Sequence, residues 1–397
     1  MMEKVVVLSA MRTPIGRFSG SLAGLPATTL GVTAVLAALR AAQVEKEEVD
    51  SLIFGMARQA GARPNPARQV LFQSGIPRER TAFTVNQACA SGMKSLQLAA
   101  DELRLGRAKV VVAGGMESMS NVPHILDKMR DGYRLGDAKV VDLMYRDGFQ
   151  CPLADMIMGE TAELLAQEMG ISRAEQDAFA LESQQKAGAA WAEGAFDEEI
   201  APVNTKSHTV SKDEHMRPDT TLAKLGSLAP VFDAKSGTVS AGNSSGITDG
   251  AAALVLTTES EARRRGWKPM ATLLDAHLTG CDPKRMGLGP VPATQQLLAK
   301  HGWSLDDFDL FEINEAFAAQ VLACLRELAI PRAQLNVHGG SIALGHPIGC
   351  SGARIVVTLL HALRRRGARR GLATICVSGG LGMSSAWENT ESHTFAR

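Results

Sequence analysis

Cys89-Ala90-Ser91-Gly92 opens a helical pattern that ends near Gly106, runs into the apolar stretch Lys109 to Ala113 and closes on Gly114-Gly115-Met116. The arrangement returns in the distant half of the chain. There Cys350-Ser351-Gly352 opens a helix ending near Gly367, which leads into Ala373 to Val377 and closes on Gly379-Gly380-Leu381. Two such units suggest a duplicated α/β core. Further apolar runs at Val5 to Leu8, Ser51 to Phe54 and Leu310 to Ile313 read as strands. Helical patterns over Ala27 to Ala42 and Thr294 to His301 lie between them. That alternation predicts layered α/β structure with largely parallel pairing.

Between the repeats, from about Ser120 to Ser245, charges are frequent and β-branched runs scarce. Ser172-Arg173-Ala174-Glu175 has the form of a capping box and predicts a long helix toward Glu193. This stretch reads as a mainly helical insertion ending in the loop Ala241-Gly242-Asn243-Ser244-Ser245-Gly246.

At 397 residues, with 45% hydrophobic side chains, the chain has material for two or three domains. Lys plus Arg and Asp plus Glu number 42 each, so no global field favours nucleic acid or an anionic membrane. No apolar stretch is long enough to span a bilayer, and the expectation is a cytoplasmic protein. Six cysteines, none in a C-x-x-C pair, argue against a metal cluster or a thioredoxin-like motif.

Four short segments could carry chemistry. Cys89 follows the extended Phe83-Thr84-Val85 and precedes a helix, where the positive end of the macrodipole and unpaired N–H groups favour thiolate or an oxyanion. His346 lies among glycines in Gly345-His346-Pro347-Ile348-Gly349, where an imidazole could exchange a proton with a thiol. Cys376 leaves an apolar strand for the glycine loop Ser378-Gly379-Gly380, a place where α/β sites gather. Asn314-Glu315-Ala316-Phe317 sits at a strand-to-helix junction, where Asn314 could equally be a helix cap. Taken singly, each has an ordinary packing or turn explanation.

Taken together, Asn86-x-x-Cys89-x-Ser91-Gly92, Asn314-Glu315-Ala316-Phe317, Gly345-His346-Pro347-x-Gly349 and Cys376-x-x-Gly379-Gly380 resemble the thiolase family. Arg12-Thr13-Pro14-Ile15-Gly16, Gly114 to Ser120 and Ala241 to Ala251 extend the resemblance over nearly the whole chain. The resemblance implies two βαβαβαββ halves in a five-layer α/β/α/β/α core, residues 1–120 (completed by 246–270) and 271–397, with 121–245 forming a CoA-binding loop domain. It implies that Cys89 accepts an acyl group from acyl-CoA while His346 takes its proton. Cys376 then deprotonates the α-carbon of a second thioester. His346, with a water held by Asn314, binds the enolate oxygen, and the N–H groups of Cys89 and Ser378 bind the tetrahedral oxyanion. For CoA it points to Ser245, Met158, Ala316, Phe317 and Arg217. Acyl-CoA and CoA are the expected partners, with no metal or redox cofactor. A homodimer or homotetramer is expected, the segment from about Val122 to Phe149 contributing to tetramer contacts.

The sequence also departs from the family pattern. Ser378 replaces the usual glycine and predicts strain if that residue needs a left-handed backbone. Ile157 stands where short-chain enzymes often carry His, and Lys224 where a small polar CoA contact is expected. Cys350 resembles a variant of degradative members and reads as a small residue packed under a helix start. Two other readings accompany the main one: a degradative thiolase for longer 3-oxoacyl chains, and a thiolase-like CoA-binding or scaffold protein that has lost its chemistry. A fatty-acid condensing synthase would pair its cysteine with two histidines, whereas Cys376 fills the base position here.

Overall fold

The structure, a computed structural model, describes residues 3–390; residues 1–2 and 391–397, at the outer ends of the expected halves, lie outside the described residues. Nine strands form one path: β1 (Val5–Arg12), β2 (Ser51–Gly55), β3 (Thr81–Val85), β4 (Val110–Ser118), β5 (Thr248–Thr258), β6 (Ala271–Gly280), β7 (Leu310–Ile313), β8 (Arg370–Val377) and β9 (Leu381–Asn389). Their spatial order is β7-β8-β9-β6-β1-β5-β4-β2-β3, with Gly16–Arg17 pairing β5 off the path.

The duplication is visible in that order. Outward from the β1–β6 seam, β1-β5-β4-β2 on one side matches β6-β9-β8-β7 on the other. The seam itself is short: Val5, Val6 and Val7 pair antiparallel with Leu273, Thr272 and Ala271. The ninth strand, β3, has its counterpart in an isolated parallel bridge between Phe311 and Leu335.

Pairing is not largely parallel, as the alternation of elements predicted. Parallel ladders are confined to β2–β3, β2–β4 and β7–β8, while β1–β5, β1–β6, β4–β5, β6–β9 and β8–β9 are antiparallel. Two connections break the strand–helix alternation. The β8–β9 link is a tight Gly379-Gly380 turn, and β5 returns to β4 only after the whole inserted segment. Antiparallel strands can be joined this way; parallel ones need a crossover.

The longer helices position the rest: α1 (Ala27–Ala42), α2 (Ser91–Arg104), α3 (Met158–Glu168), α4 (Arg173–Ala192), α5 (Pro290–His301), α6 (Ala318–Glu327) and α7 (Ile348–Arg366). α2 and α7 pack on each other between the two half-sheets; α1 covers the outside of β1 and β5, and α5 the outside of β6 and β9. The result is five layers. α7 is buried all round from Ile348 to Leu363, as a central helix must be. The two repeat motifs meet here. A Cβ on Gly92 would come within 2.7 Å of Ala353 N, and one on Gly352 within 2.6 Å of Met93 N. Only glycine lets the two helix starts approach so closely.

In the inserted segment Ser172 Oγ accepts from Glu175 N and the Glu175 carboxylate accepts from Ser172 N, so α4 begins and ends where the capping box predicts. Arg12, at the end of β1, fastens this segment to the core. Its fully buried guanidinium pairs with Glu199 at 2.5 Å and Asp213 at 2.8 Å.

Candidate active site

Cys89 sits on a tight loop between β3 and α2. Asn86 Oδ1 accepts from Ala88 N, Ser91 Oγ accepts from Gln87 N, and Ala88 takes a left-handed φ of 44°. For a residue with a Cβ that conformation costs about 1 kcal/mol or more. The strain presents Cys89 beside the helix start. The N–H groups of Ala90 and Ser91 are used by the carbonyls of Gln87 and Ala88, so the helix terminus has fewer free donors than its position alone suggests. Burial accordingly wins and pushes the Cys89 thiol above its ordinary pKa; Arg58 and the N–H groups of Ser378 and Cys89 itself act in the opposite direction. At rest the group is a thiol, and a thiol needs a base to become a nucleophile.

His346 is that base's best-placed candidate. Its Nδ1 lies 2.5 Å from Ser351 Oγ, and the single Ser351 hydroxyl proton is donated to the Pro347 carbonyl at 2.9 Å. Ser351 therefore accepts from Nδ1–H, which leaves the Nε2 lone pair for the cavity. Burial, then the charges of Arg354 and Arg58, lower the imidazole to about 3. It rests neutral.

Cys376 is buried in the last turn of β8, opposite Gly382 of β9. Burial, and then the proximity of Cys89, hold its thiol well above the ordinary pKa. Ser378 follows on the turn and lines the same cavity. The strain predicted for it is absent, because positive φ falls on the next two residues, Gly379 at 89° and Gly380 at 82°. The serine keeps an ordinary backbone, and its N–H, like that of Cys89, acts to lower the Cys89 thiol.

Asn314 lies behind the cavity wall, fully buried. Arg354 Nη2 donates to Ser341 Oγ at 2.7 Å, and Ser341 Oγ donates to Asn314 Oδ1 at 2.7 Å. This fixes the amide so that Nδ2, a buried donor without a protein partner, is the free end. Nearby, Ser245 N donates to Ala316 O at 3.0 Å and Ala318 N to Asn243 O at 2.9 Å. The 241–246 loop is thereby strapped to the segment after β7.

A cavity of about 270 Å³ gathers Cys89, His346, Cys376 and Ser378 with Ser245, Met158, Ala316 and Phe317. Ile157 is also in its wall, and Phe317 packs edge-on against Phe232 with centroids 6.3 Å apart. Arg217 stands apart: it is exposed and outside this wall, its backbone N donating to Gln184 Oε1. Lys224 pairs with Asp219 at 2.5 Å. Cys350 is buried at the start of α7, its thiol pushed up to about 12, in keeping with a packing role.

Sequence reasoning missed Arg58 and Glu117. Arg58 borders the cavity, and the buried Glu117 carboxylate accepts from the N–H groups of Ala57, Arg58 and Gly349 at 2.9–3.2 Å. That carboxylate ties the loop after β2 to the start of α7. Arg58 follows the C-terminal end of a strand, where α/β sites gather, and that was the available signal.

The thiolase N-terminal domain family matches residues 5–260 and the thiolase C-terminal domain family residues 267–389. The acetyl-CoA acetyltransferase of Escherichia coli (strain K12) is 50% identical over 392 residues, covering 98% of this chain and 99% of the relative. That of Cupriavidus necator is 48% identical, covering 98% of this chain and all of the relative. The crystal structure of human mitochondrial 3-ketoacyl-CoA thiolase in complex with CoA superimposes with a TM-score of 0.95 at 43% identity, over 98% of both chains.

Proposed function

Because the chain belongs to the thiolase family, we propose that its cavity works through an acyl-Cys89 intermediate. The protein is a thiolase, an acyl-CoA C-acyltransferase. It catalyses the reversible Claisen condensation of acetyl-CoA with acyl-CoA, or thiolysis of 3-oxoacyl-CoA in the other direction. The observation that supports the assignment of roles is the convergence of two thiols, one neutral imidazole and two backbone donors on one cavity.

In thiolysis, His346 Nε2 takes the Cys89 proton as the sulfur attacks the 3-oxo carbon. The N–H groups of Cys89 and Ser378 hold the oxyanion, a donor of this kind contributing about 3–4 kcal/mol. The C2–C3 bond breaks, and the departing enolate of acetyl-CoA is held by Nε2–H of His346 and by a water that the Asn314 amide holds. It takes its proton from Cys376, whose raised pKa suits a donor. CoA thiol then attacks the acyl-Cys89 thioester, freeing acyl-CoA; the CoA proton passes to the Cys376 thiolate, and His346 returns its proton to the departing Cys89 sulfur, which restores the resting state. Condensation runs the same steps backwards, with Cys376 removing the α-proton. Ser245, Met158, Ala316 and Phe317 form the pantetheine wall, and Arg217, on the surface, meets the nucleotide phosphates.

A homodimer or homotetramer in the cytoplasm belongs to the same proposal. Leu126, Met129, Leu135 and Val140 expose apolar surface on the inserted segment, and a reducing compartment suits two thiols in one cavity. Neither the longer-chain degradative reading nor the loss of chemistry is favoured: the relatives are named acetyl-CoA acetyltransferases and each proposed catalytic group is present. The test is thiolysis of acetoacetyl-CoA by wild type and Cys89→Ala, with mass spectrometry of acetyl-CoA-treated protein. Acetylation confined to Cys89 is expected, with loss of turnover in the variant. Turnover surviving Cys89→Ala would remove the assignment.

A further inference from the structure

Ser183 and Gln184 are consecutive residues of α4, in the inserted segment, and both are buried against the core. They face Gly340-Ser341-Ile342, the stretch that carries the hydroxyl bonded to Asn314. Gly340 N donates to Ser183 Oγ at 3.1 Å, and Gln184 Nε2 donates to the Ile342 carbonyl at 3.3 Å. The Ser183 hydroxyl proton goes on to Glu315 Oε2 at 2.7 Å, and Ile342 N donates to the same oxygen at 3.1 Å. Glu315 Oε1 accepts from Asn336 Nδ2 at 2.8 Å. Asn336 is itself locked, its Nδ2 and Oδ1 bonding the Ile313 carbonyl and N–H. One buried carboxylate thus joins α4, the 340–342 stretch and the turn that follows β7. The packing there is close: a Cβ on Gly340 would collide with the Glu315 carboxyl group, and one on Gly339 would come within 2.6 Å of the Ser183 carbonyl oxygen.

Resting on the acyl-Cys89 reading, we propose that Ser183 and Glu315 are positioning residues for the enolate step, clamping Ser341 against Asn314. Asn314 and Ser341 stand on two separate loops, and their 2.7 Å bond needs both loops in register. Glu315 follows Asn314 and Ile342 follows Ser341, and the two are joined directly at the carboxylate. Ser183 fixes the other flank of Ser341 through Gly340. The inserted segment, expected to bind CoA, therefore also reaches the chemistry. His346 is held separately, its ring by Ser351 Oγ and its backbone N–H by the Gly246 carbonyl. Loosening the clamp misaims the Asn314 amide and leaves the base of the acylation step in place. A misaimed group loses rate through orientation rather than through substrate binding.

The test reads two rates on each full-length preparation supplied with acetyl-CoA. One is acetylation of Cys89, by rapid-quench mass spectrometry; the other is exchange of the methyl protons with deuterated water. Because each enzyme is judged by the ratio of the two, partial loss of folded protein cancels. Ser183→Ala removes the donor to Glu315 and the acceptor of Gly340 N, while Ser183→Thr keeps the hydroxyl. Glu315→Gln turns an amide N–H2 toward the locked Asn336 donor, an independent break in the same clamp. The exchange-to-acetylation ratio is expected to fall by about two- to tenfold in Ser183→Ala and in Glu315→Gln, and to return to within about twofold of wild type in Ser183→Thr. Since the clamp acts through Ser341, adding Ser183→Ala to Ser341→Ala should lower the ratio by less than about twofold further. A ratio unchanged in either Ser183→Ala or Glu315→Gln overturns the proposal while the acyl-Cys89 reading stands. Effects of Ser183→Ala and Ser341→Ala that multiply in full do the same. Absence of acetylation at Cys89 in wild type overturns the acyl-Cys89 reading itself.

Discussion

Ser341 Oγ stands 2.7 Å from Asn314 Oδ1 and 2.7 Å from Arg354 Nη2, so one hydroxyl sets which end of the Asn314 amide is free. Ser341→Ala leaves both partners short of a bond. A net hydrogen bond is worth about 0.5–1.5 kcal/mol, or roughly two- to tenfold in rate. The loss should appear in the enolate step. Exchange of the acetyl-CoA methyl protons with deuterated water is expected to slow by that factor, while acetylation of Cys89 keeps its wild-type rate. Equal slowing of both steps would show that Ser341 supports the cavity as a whole rather than the amide.

His346 carries a pH signature in stability. Its folded pKa, about 3, lies below the ordinary histidine value near 6.5. The unfolded chain therefore binds the proton more readily. The stabilisation is complete above about pH 6.5 and is lost as the pH falls toward 3. Denaturant unfolding from pH 6 to 4 should weaken wild type more steeply than His346→Asn, by up to about 1.4 kcal/mol per pH unit. Parallel slopes would mean that the imidazole is hydrated and protonates freely.

These groups differ in how far the sequence discloses them. Cys89, His346 and Cys376 are readable because each sits in a glycine-bearing motif with its own spacing. The capping box at Ser172 is local chemistry and so is correctly placed at α4. Strand direction is not local: whether β5 runs against β4 depends on a return across more than a hundred intervening residues. Arg58 is a single basic residue without a motif, and only the approach of the Gly148 loop gives it a partner. The Cys89 thiol shows the same limit. Its helix-start position argues for a lowered pKa, and burial, a tertiary property, reverses the direction.

Ser378→Gly tests the turn that follows Cys376. Since Ser378 does not adopt a positive φ, glycine relieves no strain and adds backbone freedom to the unfolded chain. Stability should fall by up to about 1 kcal/mol. The N–H that acts on the Cys89 thiol is retained, so kcat for acetoacetyl-CoA thiolysis is expected within about twofold of wild type. A rise in melting temperature would contradict the unstrained serine.

Gly379 and Gly380 share a left-handed backbone but differ in surroundings, which separates conformational strain from collision. A Cβ on Gly379 would meet only Leu153 Cδ1, at 3.9 Å; one on Gly380 would run into the Cys281 carbonyl and the Pro283 backbone. Gly379→Ala should therefore cost only the left-handed penalty, about 1–2 kcal/mol. Gly380→Ala pays that and must also displace the Cys281–Pro283 segment, whose Cys281 N–H donates to the Gly380 carbonyl at 2.7 Å. Movement there shifts the turn that carries Ser378 N–H toward Cys89. Gly380→Ala is thus expected to lower melting temperature more than Gly379→Ala and to reduce kcat by about tenfold or more, as loss of aim in an oxyanion donor does. If the two variants lose stability and kcat equally, backbone strain alone governs the turn, and close packing against Cys281 has no part in aiming the donor.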